Sequence, residues 1–379
     1  MRIAFDAKRI THNATGLGNY SRFVVNGLSR YFPENDYLLF SPSQGHDHLR
    51  QQIESSPSVH YHLPEMFHHR KLRSFWRSYW VSKTLQERGI DLFHGLSNEL
   101  PLNIRSSKVP SIVTIHDLIF LRYPEFYKPI DRAIYKYKFK KACTDATHVV
   151  AVSESTKRDV ISFFGIDERK ISVVYQGCNP VFGIAASEES RIRVIQKYAL
   201  DEPFILYVGS IESRKNLLVA VKAMKRLQSG IRLVAIGRET AYTKSVRTYI
   251  HANGLSNKVS ILNNVPFEDL PVFYQMAKVF VYPSLFEGFG IPLLEALSAR
   301  VPVIGATGSC LEEAGGPGSL YFNPSNSDQL SSYITQILND SELAGRMVSD
   351  GLVHLQKFQP ETLSSQMISL YREICRTSF

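Results

Sequence analysis

The 379-residue sequence predicts an α/β protein built from two doubly wound parallel sheets, and two observations lead to that prediction. Short β-branched or apolar runs alternate with longer helical stretches, as in parallel strands joined by crossover helices. The runs form two series, which a turn-rich stretch at residues 175–180 separates. Because a chain of this length exceeds one ordinary core, we expect two domains of similar size.

Each series predicts six strands. The first comprises residues 2–5, 37–40, 92–94, 111–115, 148–152 and 171–174, and the second comprises residues 204–208, 232–236, 259–262, 279–282, 301–304 and 319–322. We place the first domain at residues 1–180 and the second at residues 181–360. A final amphipathic helix at about 361–379 has no strand after it, and we expect it to pack back on the first domain.

The composition restricts the possible partners. Lys and Arg outnumber Asp and Glu by 44 to 35, and almost all of this excess lies before residue 180, which suits a polyanion or an anionic membrane surface. The four cysteines are scattered without a Cys-x-x-Cys pair, so neither a zinc site nor a disulfide framework is indicated. The sequence shows neither a secretory signal nor an apolar run long enough to cross a bilayer, which predicts a cytoplasmic protein.

The most specific motif is the stretch 284–297, which directly follows the predicted strand 279–282. Gly288 and Gly290 allow the backbone to bend closely around a ligand, and the helix that follows directs its unpaired N–H groups towards an anion such as a phosphate. Glu287 and Glu295 lie about two helical turns apart along the chain. We therefore expect the two carboxylates to contact different parts of one extended ligand.

This stretch resembles the Glu-x7-Glu signature of retaining glycosyltransferases of family 4, which have the GT-B fold of two Rossmann-like domains with a cleft between them. The resemblance extends over nearly the whole chain. It implies that Glu287 contacts hydroxyls of the donor sugar and that Glu295 binds the nucleotide ribose, both as hydrogen-bond acceptors. The donor site would also include the residues between the two glutamates, namely Gly288, Phe289, Gly290 and Ile291.

A second motif is the stretch 206–216, in which a strand ends at Gly209 and a helix is expected to begin near Asn216. The adjacent cations Arg214 and Lys215 oppose the dipole of that helix, a conflict that an anionic ligand would resolve. The resemblance implies that this pair binds the donor diphosphate and stabilises the departing nucleoside diphosphate. Some family members have an arginine where this chain has Ser210, and Arg214 would compensate.

Two further positions are expected near the nucleotide base, Gly237 after the strand 232–236 and Val265 after the strand 259–262. No Asp-x-Asp motif and no cluster with metal-ligand spacing occurs in the sequence. We therefore expect no metal and no cofactor besides the nucleotide-sugar co-substrate, with Arg214, Lys215 and a helix end neutralising the diphosphate.

In the first domain, Gly16 and Gly18 are expected to form a loop before a helix that begins near Ser21. A dinucleotide fingerprint would require glycine at position 21, which weakens an NAD-binding interpretation. The resemblance implies instead that this loop approaches the donor phosphate and the acceptor. His116 and Asp117 follow the strand 111–115, at the edge where open α/β sheets bind ligands. By resemblance, His116 would contact the donor sugar near the reacting centre and Asp117 would orient the sugar or the acceptor.

Two stretches of the first domain, residues 68–80 and 135–141, interleave cations with aromatic side chains. This composition suits an anionic membrane surface or a nucleic acid. The alternative is a pair of amphipathic helices that pack their rings inward, which for the stretch 135–141 fits equally well. For a transferase, the membrane interpretation predicts peripheral association and a lipid-linked acceptor such as a polyprenyl-diphosphate glycan. No nucleic-acid partner is then expected.

The leading functional prediction is transfer of a hexosyl group from a nucleotide sugar to a glycan or lipid-linked glycan in cell-surface polysaccharide biosynthesis. Residues 115–118 and 122–126 resemble O-antigen mannosyltransferases, which favours mannose from GDP-mannose. The resemblance also implies retention of configuration. Because the sequence offers no clear nucleophile, front-face displacement assisted by the leaving phosphate is preferred. The alternatives are an NAD-dependent oxidoreductase and a non-enzymatic protein that binds nucleic acid or lipid.

Overall fold

A computed structural model describes residues 1–65, 71–227 and 230–377 of the chain. It divides into two compact units. The first consists of Met1–Gly177 together with the C-terminal segment that begins at Phe358, and the second is Cys178–Lys357. The sequence places the corresponding limits at residues 180 and 360, within the turn-rich stretches that join the two units.

Within the described residues, the first unit contains one sheet of seven parallel strands in the order β3-β2-β1-β4-β5-β6-β7. The strands are β1 Arg2–Asp6, β2 Asp36–Phe40, β3 Val59–His62, β4 Leu92–Gly95, β5 Ser111–Ile115, β6 His148–Ala151 and β7 Ile171–Val173. Six of them match predicted strands to within a residue at each end. The edge strand β3 was not predicted, because the histidines in Val-His-Tyr-His interrupt its apolar pattern.

Helices cover both faces of this sheet. Before the linker, the chain forms α1 Lys8–His12, α2 Gly16–Tyr31, α3 Asp47–Arg50, α4 Arg73–Phe75, α5 Val81–Glu87, α6 Ile119–Arg122, α7 Pro129–Asp145 and α8 Glu154–Phe164. A π-helical turn, Trp76–Trp80, connects α4 to α5. One face of the sheet is covered by a core cluster that includes Trp76 and Phe93, and the other by a cluster that includes Val25 and Leu28.

The second unit contains a sheet of six parallel strands in the order β10-β9-β8-β11-β12-β13 among its described residues. The strands are β8 Phe204–Val208, β9 Arg232–Ile236, β10 Val259–Leu262, β11 Val279–Tyr282, β12 Val303–Ala306 and β13 Leu320–Phe322. The first four match their predictions. Strand β12 begins two residues later than expected, because Val301 and Pro302 still belong to the connection that leaves the preceding helix.

The helices of the second unit are α9 Glu188–Tyr198, α10 Leu217–Ala223, α11 Ala241–Ala252, α12 Leu270–Met276, α13 Ile291–Ser298, α14 Leu311–Gly315, α15 Ser327–Asn339 and α16 Ser341–Leu355. The last helix of the chain, α17 Pro360–Thr377, belongs to the first unit, where Leu363 and Met367 join the core that α2 also lines. Its approach to α2 is close, since a Cβ on Gly27 would lie 2.3 Å from Ser364 Oγ. The predicted fold class, two doubly wound parallel sheets, is therefore confirmed.

Candidate functional site

The carboxyl end of the central strands of the second sheet brings two sequence motifs together. Strand β8 lies beside β11, so the loop that follows β8 and the loop that follows β11 meet at the same edge. The backbone joins them directly, because Leu285 N donates to Arg214 O at 2.8 Å. The carboxyl edge of a parallel α/β sheet is where such folds bind ligands.

Glu287 is at the centre of this edge and is held by four side chains that all contact one of its oxygens. Oε1 accepts hydrogen bonds from Ser284 Oγ at 2.8 Å and from Tyr282 Oη at 3.1 Å. Arg214 Nη1 lies 3.0 Å from the same oxygen and Lys215 Nζ lies 3.3 Å from it. None of these contacts with described residues involves Oε2. The second oxygen therefore retains its capacity to accept hydrogen bonds from a ligand.

The charge state of Glu287 follows from its surroundings. Burial by itself would raise the pKa of Glu287, but the positive charges of Lys215 and Arg214 outweigh burial and lower that pKa to about 2. Glu287 is therefore ionised at neutral pH, and an ionised carboxylate is a strong acceptor for sugar hydroxyls.

Arg214 and Lys215 are fixed by the same network. Arg214 donates to Phe286 O and forms an ion pair with Glu212 at 2.8 Å, while Lys215 Nζ donates to Tyr282 Oη at 2.7 Å. The two cations lie in a 3-10 turn, Ser213–Lys215, immediately before α10. The conflict with the helix dipole is thus relieved within the unit by Glu212 and Glu287, without requiring a ligand.

Glu295 has a different environment, in the middle of α13. Its Oε2 accepts a hydrogen bond from Tyr274 Oη at 2.7 Å. Burial raises the pKa of Glu295 to about 7, although the Tyr274 hydrogen bond and the charge of Lys215 oppose this rise. The two glutamates therefore differ in charge state, since Glu295 titrates near neutral pH whereas Glu287 remains ionised.

The residues between the two glutamates build the start of α13. Gly290 has φ 125°, a conformation that favours glycine, and Ile291 is the first residue of the helix. The Phe289 side chain is buried in the core, with its carbonyl accepting a bond from Cys310 Sγ at 2.8 Å, and Gly288 is half-buried in the loop. A ligand could therefore meet Phe289 only through its backbone.

The positions expected near the base also lie at this edge. Gly237 follows β9 and Val265 follows β10, and Gly209, from the stretch with the two cations, follows the neighbouring strand β8. Gly237 must be glycine, because a Cβ there would lie 1.8 Å from Gly209 O. Ser210 is half-buried, and its carbonyl accepts a hydrogen bond from Tyr207 Oη at 3.2 Å.

In the first unit, the expected glycine loop is instead the start of a helix, and that prediction was wrong. Helix α2 begins at Gly16 and not near Ser21. The early start is supported by Asn13 Oδ1, which accepts hydrogen bonds from Thr15 N at 2.9 Å and from Gly18 N at 3.2 Å, and Gly18 N also donates to Thr15 O at 2.9 Å. Gly18 is tightly packed, since a Cβ would lie 1.8 Å from Asn13 O, whereas a Cβ on Gly16 would have no neighbour within 4 Å.

His116 lies at the end of β5, as expected, and both of its ring nitrogens are engaged. Nε2 lies 2.9 Å from Leu96 O, and Nδ1 lies 3.2 Å from Gln176 Nε2. These partners require a proton on Nε2 and none on Nδ1. Burial lowers the pKa of His116 to about 4, despite the opposing hydrogen bond to Leu96, so the ring is neutral at pH 7. Asp117 Oδ1 accepts from Ile119 N at 3.2 Å and thereby caps the start of α6.

A chain of buried polar groups, which the sequence did not reveal, leads from α17 to His116. His94 lies 2.6 Å from Tyr371 Oη and 2.8 Å from Thr114 Oγ1. Thr114 Oγ1 in turn lies 3.1 Å from Tyr20 Oη, and the Tyr20 ring packs edge-on against His116 at 4.7 Å between centroids. Burial lowers the pKa of His94 to about 3, and the charge of His116 adds to this effect.

Each of the two units matches the model of a known protein family. Residues 16–182 match the family model Glycosyltransferase Family 4, and residues 188–352 match Glycosyl transferases group 1. The chain belongs to the family 4 glycosyltransferases. It is therefore an enzyme, and this assignment replaces the oxidoreductase and non-enzymatic alternatives.

Individual relatives of this glycosyltransferase are similar over most of its length. The chain is 28% identical to O-antigen chain mannosyltransferase B of Escherichia coli, over 98% of this chain and 100% of that protein. It is 26% identical to O-antigen chain mannosyltransferase RfbU of Salmonella typhimurium, over 87% and 89% of the two chains. The crystal structure of Anabaena HepE in complex with UDP has a TM-score of 0.76 at 17% identity and covers 98% of this chain and 100% of HepE. That structural likeness confirms the GT-B fold.

Three polar residues of the candidate site were not predicted. Tyr282 and Ser284 hold Glu287, and Tyr274 holds Glu295. Tyr282 ends the strand before the stretch 284–297 and Ser284 is the first residue of that stretch, so their proximity to Glu287 in the sequence was the available signal. Tyr274 lies in α12, where only its packing against α13 reveals a role. Among the described residues, no group of three or more His, Cys, Asp or Glu side chains could hold a metal ion, and independence from metals remains a prediction.

The two basic–aromatic stretches divide their rings between the core and the surface. Residues 68–70 of the first stretch lie outside the described residues. In the remainder, Trp76 is buried in the core, while Leu72, Phe75 and Tyr79 are exposed. In α7, Tyr135 and Phe139 pack edge-on against Phe120. No helix in the described part of this glycosyltransferase is long and apolar enough to cross a membrane.

Proposed function

We propose that this glycosyltransferase transfers mannose from GDP-mannose, with retention of configuration, to a glycan or lipid-linked glycan in cell-surface polysaccharide biosynthesis. The main support for the donor site is the way in which Glu287 is held. Four side chains contact its Oε1, namely Arg214, Lys215, Tyr282 and Ser284, and Oε2 can still accept hydrogen bonds from a ligand. Two named relatives that are mannosyltransferases support the choice of sugar.

In this proposal, the cations of the site serve the leaving group. Arg214 and Lys215 bind the diphosphate and stabilise the charge that develops when the bond between the sugar and the phosphate breaks. Glu287 Oε2 accepts hydrogen bonds from sugar hydroxyls, and Glu295 does so from the ribose. His116, which burial keeps neutral, contacts the sugar near the reacting carbon, and Asp117 orients the sugar or the acceptor.

The retaining step is a front-face displacement. The acceptor hydroxyl oxygen forms a bond to the anomeric carbon on the face that the phosphate leaves, and its proton passes to a departing phosphate oxygen. Because GDP-mannose is α-linked, retention gives an α-mannoside. Trapping of a covalent glycosyl–enzyme adduct would contradict this step.

Donor identity is tested by a thermal-shift screen against UDP-, GDP- and ADP-sugars, followed by turnover with each ligand that binds. We expect GDP-mannose to raise the melting temperature and to yield GDP and a mannosylated product, with the anomer read by NMR. A shift and turnover with a UDP-sugar alone would replace the proposed donor, and a β-mannoside would exclude retention.

We also propose that the first unit associates peripherally with anionic membranes. Helix α7 carries an outward apolar stripe on one face, Ile130, Ile134 and Tyr137, whose side chains are 75%, 46% and 63% exposed. These residues recur at intervals of four and three, so they share one side of the helix, and Lys136, Lys138 and Lys140 flank them. An apolar stripe between cations fits the boundary between lipid headgroups and acyl chains.

Vesicle sedimentation tests this association. We expect binding to vesicles with anionic lipid at low salt, and loss of binding in the double variant Ile130→Ser, Tyr137→Ser. Ile184→Ser is the matched control, because Ile184 is 64% exposed in the second unit. Equal binding by wild type and the double variant, or none by wild type, would contradict the membrane proposal.

A further inference from the structure

A cluster of four charged side chains joins the carboxyl end of β1 to the two basic–aromatic stretches. Arg77 donates to Asp6 Oδ2 at 2.7 Å and to Glu99 Oε2 at 2.8 Å. Lys138 Nζ lies 3.5 Å from Glu99 Oε1. Within this cluster, two cations balance two carboxylates, and Asp6 is almost completely buried. These four residues are called the Arg77 cluster.

Lys8 and Arg9, the first two residues of α1, add two positive charges that the Arg77 cluster does not neutralise. Both side chains are half-buried, and neither makes a hydrogen bond or an ion pair with any residue in the described ranges. Burial is the main cause that lowers the pKa of Lys8, and the charges of Arg77 and Arg9 lower it further, while the charges of Glu99 and Asp6 oppose this change. The Lys8 ammonium group thus lies where its solvation is reduced, beside two other cations and the two carboxylates of the Arg77 cluster.

The positions of Lys8 and Arg9 in the first unit indicate the kind of ligand that they could bind. Burial is the main reason that the pKa of His116 is low, and the charge of Arg9 also contributes, so Arg9 lies near that histidine. Lys8 and Arg9 directly follow Asp6 and Ala7 at the end of β1, the edge where α/β sheets bind ligands. An excess of two positive charges at this edge matches a phosphate dianion or a diphosphate.

We propose that Lys8 and Arg9 form a binding site for the phosphate groups of the acceptor, which we infer to be a lipid diphosphate. This inference rests on the proposed function. The donor diphosphate has cations of its own in the second unit, Arg214 and Lys215. The Arg77 cluster connects the site to the surface, because Arg77 and Lys138 belong to the two stretches that expose apolar side chains. A phosphate at Lys8 and Arg9 would therefore have its lipid chain beside a surface suited to a membrane.

A binding experiment tests the site without relying on activity. Inorganic pyrophosphate is titrated calorimetrically into protein saturated with GDP, which occupies the donor cations. We expect one bound pyrophosphate, with affinity about tenfold weaker in Lys8→Met and in Arg9→Met. Lys83→Met is the matched control, since Lys83 is a cation of the same unit whose side chain is 81% exposed and pairs with Glu87 on the surface. No binding under these conditions, or equal affinity in all variants, would overturn the inference.

A kinetic experiment identifies the source of the phosphate. The same glycan is supplied on a short, water-soluble prenyl diphosphate, on a long-chain diphosphate in vesicles, and as a methyl glycoside without phosphate. Lys8→Met should raise the KM for both diphosphate acceptors about tenfold, leave the KM for the donor unchanged, and leave the methyl glycoside unaffected. Lys8→Arg should restore the wild-type KM. If the KM for the acceptor depends only on the length of the lipid chain, and not on the diphosphate, the acceptor is recognised through the membrane surface. That result would overturn the phosphate site.

Failure of this inference is distinguishable from failure of the proposed function. Hydrolysis of the donor by water requires no acceptor, so it reports the donor site by itself. If wild type neither hydrolyses nor transfers from any nucleotide sugar, the proposed function fails, while the pyrophosphate titration still decides on Lys8 and Arg9. If donor hydrolysis is normal and acceptor KM values are the same in wild type and Lys8→Met, only the phosphate site fails.

Discussion

Lys215 Nζ lies 3.3 Å from Glu287 Oε1, and the hydroxyl of Tyr282 accepts a hydrogen bond from the first residue and donates one to the second. The side chain proposed to bind the leaving diphosphate is thus coupled to the side chain proposed to bind the sugar. Their mutual attraction fixes both before a ligand arrives, and preorganised groups stabilise a transition state without a reorganisation cost.

The first prediction concerns this pair. Lys215→Ala and Glu287→Ala should each lower kcat by roughly 100-fold or more, because each removes a preorganised charge from the transition state. Steady-state kinetics measures the loss, and circular dichroism checks the fold. Lys225→Ala is the matched control, since Lys225 is an exposed cation of the same unit whose ammonium group donates a hydrogen bond to Asn253. A near-normal rate in either alanine variant would remove that residue from the mechanism.

The second prediction uses the pKa of Glu295, which burial raises to about 7. If ribose hydroxyls bind its ionised form, protonation competes with the nucleotide, and affinity should fall about tenfold between pH 8 and pH 6. Calorimetric titration of GDP across this range measures the effect. Glu295→Gln should remove this part of the pH dependence and keep the part that belongs to the nucleotide phosphates. Parallel pH profiles for wild type and the variant would exclude Glu295 from ribose binding.

The third prediction separates two glycines of α2. Gly18→Ala should lower the free energy of unfolding by about 1–3 kcal/mol, because its Cβ would lie 1.8 Å from the backbone oxygen of Asn13. Gly16→Ala has open space and should leave stability unchanged or slightly higher. If Gly16 approaches the donor phosphate, as the family resemblance implies, Gly16→Ala should lower activity without lowering the melting temperature. Equal destabilisation by both substitutions would contradict the packing described for Gly18.

The fourth prediction concerns the acid stability of the first unit. The folded-state pKa of His94 is about 3, below the value near 6.5 of an unfolded chain, so the unfolded state binds more protons between these values. The free energy of unfolding should therefore fall as the pH falls, by roughly 2 kcal/mol from this residue by pH 5. His116 acts in the same direction.

Tryptophan fluorescence is a suitable probe for that measurement. Both tryptophans of the chain, Trp76 and Trp80, lie in the first unit, so denaturant titrations followed by fluorescence report its unfolding. Wild type should lose roughly 2 kcal/mol more than His94→Gln between pH 7 and pH 5. Equal losses would show that His94 is not held neutral in the folded state.

The fold was largely predictable because parallel strands buried on both faces read as continuous apolar runs. Strand β3 was missed for the opposite reason. It lies at the edge of the first sheet, and its two histidines leave no such run. The start of α2 was misplaced because glycines usually indicate a loop, whereas here the helix begins at Gly16 and the Asn13 side chain accepts hydrogen bonds from Thr15 N and Gly18 N at this end.

The sequence motifs identified Glu287, Arg214 and Lys215 as candidate site residues, and the structure brings these three side chains together, while their roles remain predictions. The charge relationship among these residues was not predictable, because their sequence separation of about 70 positions conceals an ion pair that only the adjacency of β8 and β11 creates. Tyr274 and His94 were missed for a related reason. A single aromatic or histidine residue in an apolar run predicts a core position, and its polar partner becomes visible only after folding.

The central claim is that Glu287 Oε2 binds the donor sugar while Arg214 and Lys215 bind the diphosphate. A crystal structure of the wild-type protein with GDP-mannose, or with a non-hydrolysable analogue, tests it most directly. The account predicts a sugar hydroxyl at about 2.7 Å from Oε2 and diphosphate oxygens in contact with both cations. A sugar without contact to Glu287, or a diphosphate held away from Arg214 and Lys215, would contradict it.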